Sequence, residues 1–259
     1  MKPVIRYVLF TLAVAAFAAL TVVLVHQAHG LRHRETCKGL QVRILDDYSF
    51  VTPDDVKDYL DRLYGPYIGQ RLDSVRLDRI EKILDRQSAI LKSEAWTGRD
   101  SLLHVDITQR EPVVRFQKGA DGFYVDERGC IFPLQRNYTS LVPVVDGFLP
   151  LDAGAGYKGE ETSPKGREWI AGVLDMVAYM KKSRTWDENI VQISVLEDGD
   201  IVMIPRQGRE RFLFGSPTQA ASKFARIAAY YRYIKPACPE NFYRTVNVKF
   251  DGQIICKKQ

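Results

Sequence analysis

Signatures of catalysis are missing from this chain. Its 259 residues hold no GxSxG elbow, no HExxH and no GxxxxGK[ST], the patterns that activate a serine, hold a catalytic zinc or cradle phosphates. Cysteine is scarce: Cys37, Cys130, Cys238 and Cys256 stand apart with no CxxC pair, which argues against zinc ribbons and thioredoxin-like redox motifs. Outside the cytoplasm four cysteines allow three sets of two disulfides, and their spacing selects none; buried free thiols are the default reading. Histidine is equally scarce. His26, His29 and His33 fall at i, i+3, i+7 with no cysteine or carboxylate to complete a metal face, so they read as polar residues at an interfacial helix end. His104 lies on the polar side of an alternating strand and reads as solvated. Adjacent acids at Asp46-Asp47 and Asp54-Asp55 sit beside turns or a helix start. Glu197, Asp198 and Asp200 surround a hairpin turn, which explains them without calcium. No catalytic, cofactor-binding or metal-ligating residue is assigned.

A basic body is missing as well. The formal net charge is +5, but Lys2, Arg6, Arg32, Arg34 and Lys38 against Glu35 alone account for +4 of it, leaving +1 for residues 39–259. So neutral a body has no electrostatic footprint for nucleic acid. What the basic residues flank is a run without charge, residues 7–25, built from Tyr7, Val8, Leu9, Phe10, Leu12, Phe17, Leu20, Val25 and similar neighbours. At 1.5 Å per residue its 19 residues would make roughly 28 Å of helix, about one hydrocarbon thickness. Residues 7–27 are expected to form a transmembrane anchor behind a cytoplasmic head of residues 1–6, with the body exported. Ala28-His29-Gly30 leaves a cleaved signal as the rival reading. Residues 28–38 form a polar linker.

Leu40, Val42 and Ile44 then alternate as a strand. Thr52-Pro53-Asp54-Asp55 opens a helix bearing Val56, Tyr59, Leu60 and Leu63, and Leu77, Ile80, Ile83 and Leu84 carry a second. A run from Ala89 to Trp96 and the alternation of Leu103, Val105 and Ile107 follow. The order βααββ over residues 39–111 predicts a small α+β module, a three-stranded sheet with two helices on one face. Residues 112–259 predict a mostly antiparallel β domain with two flanking helices. Its strands are expected at Val113–Phe116, Gly122–Val125, Cys130–Phe132, Leu141–Val145, Ile190–Leu196, Ile201–Pro205, Arg211–Phe214 and Phe242–Phe250. One helix starts after Ser163, and a second, over residues 217–235, is led by a capping box at Ser216-Pro217-Thr218-Gln219.

The terminal stretch predicts a hairpin about Asp251-Gly252. A two-residue turn would pair Phe250 with Gln253, Val248 with Ile255 and Asn247 with Cys256. Val246, Val248, Phe250 and Ile255 would then share one face, with Ile254 and Cys256 on the other. An edge strand apolar on both faces invites pairing with another chain; a helix covering one face, with nothing bound, is the alternative.

Several stretches carry a family likeness: Gln109-Arg110-Glu111-Pro112; Tyr124-Val125-Asp126 with Gly129 and Phe132; Val142-Pro143-Val144-Val145-Asp146-Gly147; and Asn247 through Lys257. With the anchor and the βααββ module, their order resembles the bacterial cell-division family FtsQ/DivIB, whose small module is a polypeptide-transport-associated (POTRA) domain. The last stretch looks most like the Bacteroidetes-type branch. The resemblance implies a non-catalytic scaffold in the inner membrane at the division septum. Implied partners are small bitopic coiled-coil proteins of the FtsB and FtsL type, with septal peptidoglycan synthases beyond them. Binding would be by β-augmentation at Thr245, Val246, Val248, Phe250, Gln253, Ile254, Ile255 and Lys257. The cytoplasmic head is shorter than in many relatives, and lysines stand where some relatives end the final strand in aromatics. An exported cell-wall enzyme and a polypeptide-binding chaperone module are the alternative readings.

Overall fold

The computed structural model describes residues 10, 12–24, 35–135, 138–154, 156–240 and 242–258. Phe10 and residues 12–24 are helical and solvent-exposed throughout. Of the expected anchor, Tyr7, Val8, Leu9 and Val25 lie outside the described residues, as do His26, His29 and His33. Among the described residues no helix is long and apolar enough to cross a membrane.

The body divides into two compact units, one of residues through Asp47 plus Val51–Gln109, the other of Tyr48–Phe50 plus Arg110–Gln259. In the first, β1 (Gly39–Ile44), α1 (Pro53–Leu63), α2 (Leu77–Leu84), β2 (Ile90–Thr97) and β3 (Leu102–Gln109) follow in the expected βααββ order. The sheet runs β1-β3-β2, with β1 parallel and β2 antiparallel to the central strand. Thr52 begins α1 by local chemistry. Its hydroxyl accepts the Asp55 N–H at 3.2 Å, and the Asp55 carboxylate accepts the Thr52 N–H at 2.9 Å, a reciprocal cap whose loss typically costs about 1 kcal/mol. Val56, Leu60, Ile80 and Leu84 from the helices and Leu103, Val105 and Ile107 from β3 are fully buried. Gln109 ends β3 and ties down the loop behind β1: its N–H and side-chain amide each donate to Asp46 at 2.7 Å, and its Oε1 accepts the Val51 N–H at 2.7 Å.

The second unit is one ten-stranded sheet. Its strands are β4 (Pro112–Lys118), β5 (Asp121–Asp126), β6 (Cys130–Pro133), β7 (Val144–Gly147), β8 (Gly159–Glu160), β9 (Ile190–Val195), β10 (Ile201–Pro205), β11 (Arg211–Gly215), β12 (Tyr243–Asn247) and β13 (Ile255–Lys258). Their order is β13-β12-β11-β10-β9-β7-β4-β5-β6-β8. Six of the nine joints are antiparallel; β4–β7, β7–β9 and β11–β12 are parallel. The fold is therefore α+β, with a large, mostly antiparallel sheet. The helices α3 (Pro164–Lys181), α4 (Arg184–Asn189) and α5 (Ala220–Ala229) supply Ile170, Val173, Met176, Val177, Trp186, Phe224 and Ile227 to one core with the inner sheet face. Tyr48–Phe50 belong here by packing: the Phe50 ring lies 5.6 Å from Tyr124 and 6.0 Å from Phe132. Gly147 is obligatory, because its φ is +93° and a Cβ there would stand 2.2 Å from the Val195 carbonyl oxygen.

Three expectations are corrected. Leu141–Pro143 is not strand; Leu141 is wholly exposed and β7 begins at Val144. The helix of residues 217–235 is instead α5, a π-turn over Tyr230–Ile234 and a 3₁₀ turn over Lys235–Ala237. Its capping box does not form: Ser216 Oγ meets Thr218 Oγ1 at 2.7 Å, and Gln219 leads the helix in the left-handed region with φ +54°.

Candidate partner-binding edge

Every open sheet has two edges, and here they are β8 and β13. β8 is a two-residue strand, so β13 offers the longer backbone template. β12 is enclosed between β11 and β13, so Thr245–Asn247 are not themselves a free edge.

The hairpin register differs from the expected one. Thr245 opposes Lys257, Val246 opposes Cys256 and Asn247 opposes Ile255. The ladder stops at Asn247 because Val248 is taken elsewhere: its N–H donates to the Leu213 carbonyl at 3.0 Å, and its carbonyl accepts Arg226 Nε at 3.0 Å. Residues 248–254 thus form a seven-residue connection around the Asp251-Gly252 turn. A one-residue slip exchanges the faces. Val246 is fully buried, and Cys256 and Ile254 pack against the same core, whereas Ile255 points outward at 48% exposure. Val248 is also in the core, while Phe250, at 47% exposure, and Gln253 are exposed. The expected grouping of Val246, Val248, Phe250 and Ile255 on one face is therefore broken, because Val248 bonds to β11 instead of continuing the hairpin.

The register also determines which backbone groups of β13 are unused. The Val248 N–H bond to β11 means that the even residues of β12 turn their polar backbone toward β11. Thr245 and Asn247 then turn theirs toward β13, where Lys257 and Ile255 face them. By the alternation of an antiparallel ladder, Cys256 and Lys258, with Ile254 just before the strand, direct N–H and C=O outward. Cys256 and Lys258 stand outside the expected set; alternation in the right register was the signal that could have found them.

The connection is fastened from α5. Arg226 Nη1 donates to Asp251 Oδ1 at 2.8 Å and to Ser222 Oγ at 2.9 Å, besides its bond to Val248. Lys249 Nζ lies 2.7 Å from Asp200 Oδ2, a hydrogen bond that raises the lysine above its ordinary value. Lys257 is exposed and makes no ion pair among the described residues; Lys258 Nζ sits 4.7 Å above the Phe242 ring.

Other expected polar residues are structural. His104 is not free in solvent: its Nε2 lies 2.9 Å from Asp100 Oδ2 and its ring stacks on Trp96 at 5.3 Å. The Leu102 N–H bond and then the His104 bond hold the Asp100 carboxyl below its ordinary value. Asp200 is occupied by Lys249. Gly154, Gly156 and Gly159 have dinucleotide-fingerprint spacing, but they lead from the connection after β7 into β8, not through a strand-to-helix turn. Among the described residues no group of three or more His, Cys, Asp or Glu side chains could hold a metal ion.

Residues 35–108 match the POTRA-like domain family. Residues 111–257 match the family described as FtsQ/DivIB, C-terminal related. The chain belongs to the FtsQ/DivIB family. This is a non-catalytic family of cell-division proteins. The two matches meet near Gln109–Pro112, where the structure passes from one unit to the other. No curated protein matches the chain at a significant level. Two of the family-like stretches have evident work here. Asp126 accepts the N–H groups of Arg128 and Cys130 at 3.0 and 2.9 Å and Arg110 Nη1 at 2.7 Å, shaping the turn into β6. Val144 through Gly147 are β7, where Gly147 admits the close approach of β9.

Proposed function

We propose that this FtsQ/DivIB protein is a non-catalytic, membrane-anchored scaffold of the bacterial division machinery. On this reading an extended segment of a small bitopic coiled-coil protein, of the FtsB and FtsL type, adds a strand to β13, with septal peptidoglycan synthases recruited beyond it. The observation that carries the reading is the open edge of β13, with Ile255 exposed beside it. Ladder bonds would supply affinity, and side-chain burial on alternate positions would supply selection. Lys257 and Lys258 would favour an acidic segment and quicken its arrival more than they prolong its stay.

Anchoring is supported by the helix of residues 12–24, apolar and exposed along its whole length, a surface without a use in water. The anchor would run over residues 7–27, with the head cytoplasmic and the body in the periplasm. The reading is tested by co-purification from native membranes. The full chain should keep Met1 or Lys2, stay with membranes through a high-salt wash and carry the bitopic partners with it. Mature protein beginning near Leu31 would overturn the anchor. Retention of the partners at full strength after removal of residues 251–259 from a protein that still folds would overturn the docking edge.

A further inference from the structure

Cys238 and Cys256 lie 18 positions apart in the chain, yet the fold brings both to one cluster of tyrosines. Cys238 follows the turn Lys235–Ala237, and its Sγ is 3.8 Å from the Tyr243 hydroxyl. Tyr243 opens β12 and pairs with Lys258, two residues beyond Cys256. Tyr243 and Cys256 pack partly buried against the same core, beside Val246 and Tyr230. The electrostatics agree with this placement. The Cys238 bond first, then burial and both cysteines, raise the Tyr243 hydroxyl; burial and then Cys238 push up the Cys256 thiol. Burial first, with Glu210 and both cysteines behind it, pushes Tyr230 up to about 12.

The other two cysteines are elsewhere. Cys37 is buried in the first unit with its Sγ 3.4 Å from the Gly39 carbonyl. Cys130 is on β6, eight strand spacings from β13 in the sheet order. That is on the order of 38 Å at the usual strand separation, whereas a disulfide needs Cα atoms within about 7 Å.

We propose that Cys238 and Cys256 are a redox-responsive pair whose disulfide fastens the free strand β13 to the turn preceding β12. The oxidant is a disulfide, of a small molecule or of a thiol-oxidising protein. One cysteine, as thiolate, attacks it to give a mixed disulfide and release one thiol. The second cysteine then displaces the other half as a second thiol. Two protons and two electrons leave the pair, and one disulfide of the oxidant becomes two thiols. The inference deepens the docking reading only in naming the edge that the bond fastens; the bond itself is tested without any partner.

The test is peptide mapping of the full chain in detergent, treated with oxidised glutathione, blocked with N-ethylmaleimide and digested with trypsin without reductant. Peptides 233–244 and 250–257 should appear as one linked species, and Cys238→Ser should leave peptide 250–257 unlinked, with Cys256 carrying either maleimide or glutathione. Full maleimide labelling of both cysteines in the treated wild type, or linkage of either to peptide 129–136, would overturn the pairing. Amide exchange of Ile255 and Lys257, whose N–H groups face β12, should slow at least about tenfold on oxidation, and not in Cys238→Ser. Unchanged exchange in the linked protein would overturn the claim that the bond fastens the edge.

Discussion

Proline at position 254 separates docking from folding, because the register assigns neighbouring N–H groups to opposite directions. The Ile255 N–H faces β12, so Ile255→Pro removes a ladder bond of the fold itself. The Ile254 N–H faces outward, so Ile254→Pro removes a donor that only a docked strand would use. One net hydrogen bond contributes about 0.5–1.5 kcal/mol, and the partner's carbonyl left without a donor costs a further ~1–3 kcal/mol. The expected loss of about 2–4 kcal/mol corresponds to roughly 30- to 1000-fold in Kd. Ile254→Ala is the control, since it keeps the N–H and changes only a half-buried side chain. The assay is titration of detergent-solubilised full chain with the extracytoplasmic segment of the co-purified bitopic partner, beside thermal unfolding of each variant. Ile254→Pro should melt within a few degrees of Ile254→Ala and bind far more weakly. Equal affinities at equal melting temperatures would refute the strand-addition argument.

Three further outcomes follow from the geometry. Arg226→Met should destabilise the second unit by about 2–3 kcal/mol, since it abolishes charge-assisted bonds to Val248 and Asp251 in one step, whereas Asp251→Asn should cost under ~1 kcal/mol because the Asp251 side chain is 83% exposed; chemical denaturation measures both. Glu161 is buried, which pushes its carboxyl up, but N–H bonds from Ser163, Ala153 and Asp152 and the Thr162 hydroxyl outweigh this and hold it below 4.5. Its folded value is depressed, so its stabilisation is complete above 4.5 and lost as pH falls through the folded value, and Glu161→Gln should flatten the acid side of a stability–pH profile. A fragment of residues 35–109 should unfold cooperatively on its own, and one beginning at 39 should melt lower, because Cys37 is buried and exchanges backbone bonds with Gly69 and Gln70.

Legibility of the fold tracked how local its causes are. The start of α1 was readable because Thr52 and Asp55 satisfy each other within one turn. The alternation of Leu103, Val105 and Ile107 was readable because burial repeats every second residue. The Ser216–Gln219 cap looked equally local but failed, since Lys223 Nζ bonds the Ser216 carbonyl at 2.7 Å and the Ser216 hydroxyl turns to Thr218. The hairpin was correctly placed about Asp251-Gly252 but misregistered, because a bond from Val248 to Leu213, 35 residues away, ends the ladder. No local pattern announces such a bond. The parallel joints and the membership of Tyr48–Phe50 in the second unit likewise depend on contacts that periodicity does not encode.

The two lysines of β13 bear on the protein's conduct toward its own copies. An unused strand edge is ordinarily a hazard, since the template most like it is the same edge of another molecule. Here full overlap of two β13 strands brings four ammonium groups into a span of four residues. Self-pairing over the whole strand therefore meets repulsion, while a segment carrying carboxylates does not. Crowding would raise the frequency of such encounters without making them productive. On the docking proposal, solubility and partner choice hang on the same two side chains, and acetylating Lys257 and Lys258 should weaken the refusal of self and the preference for acidic strands together.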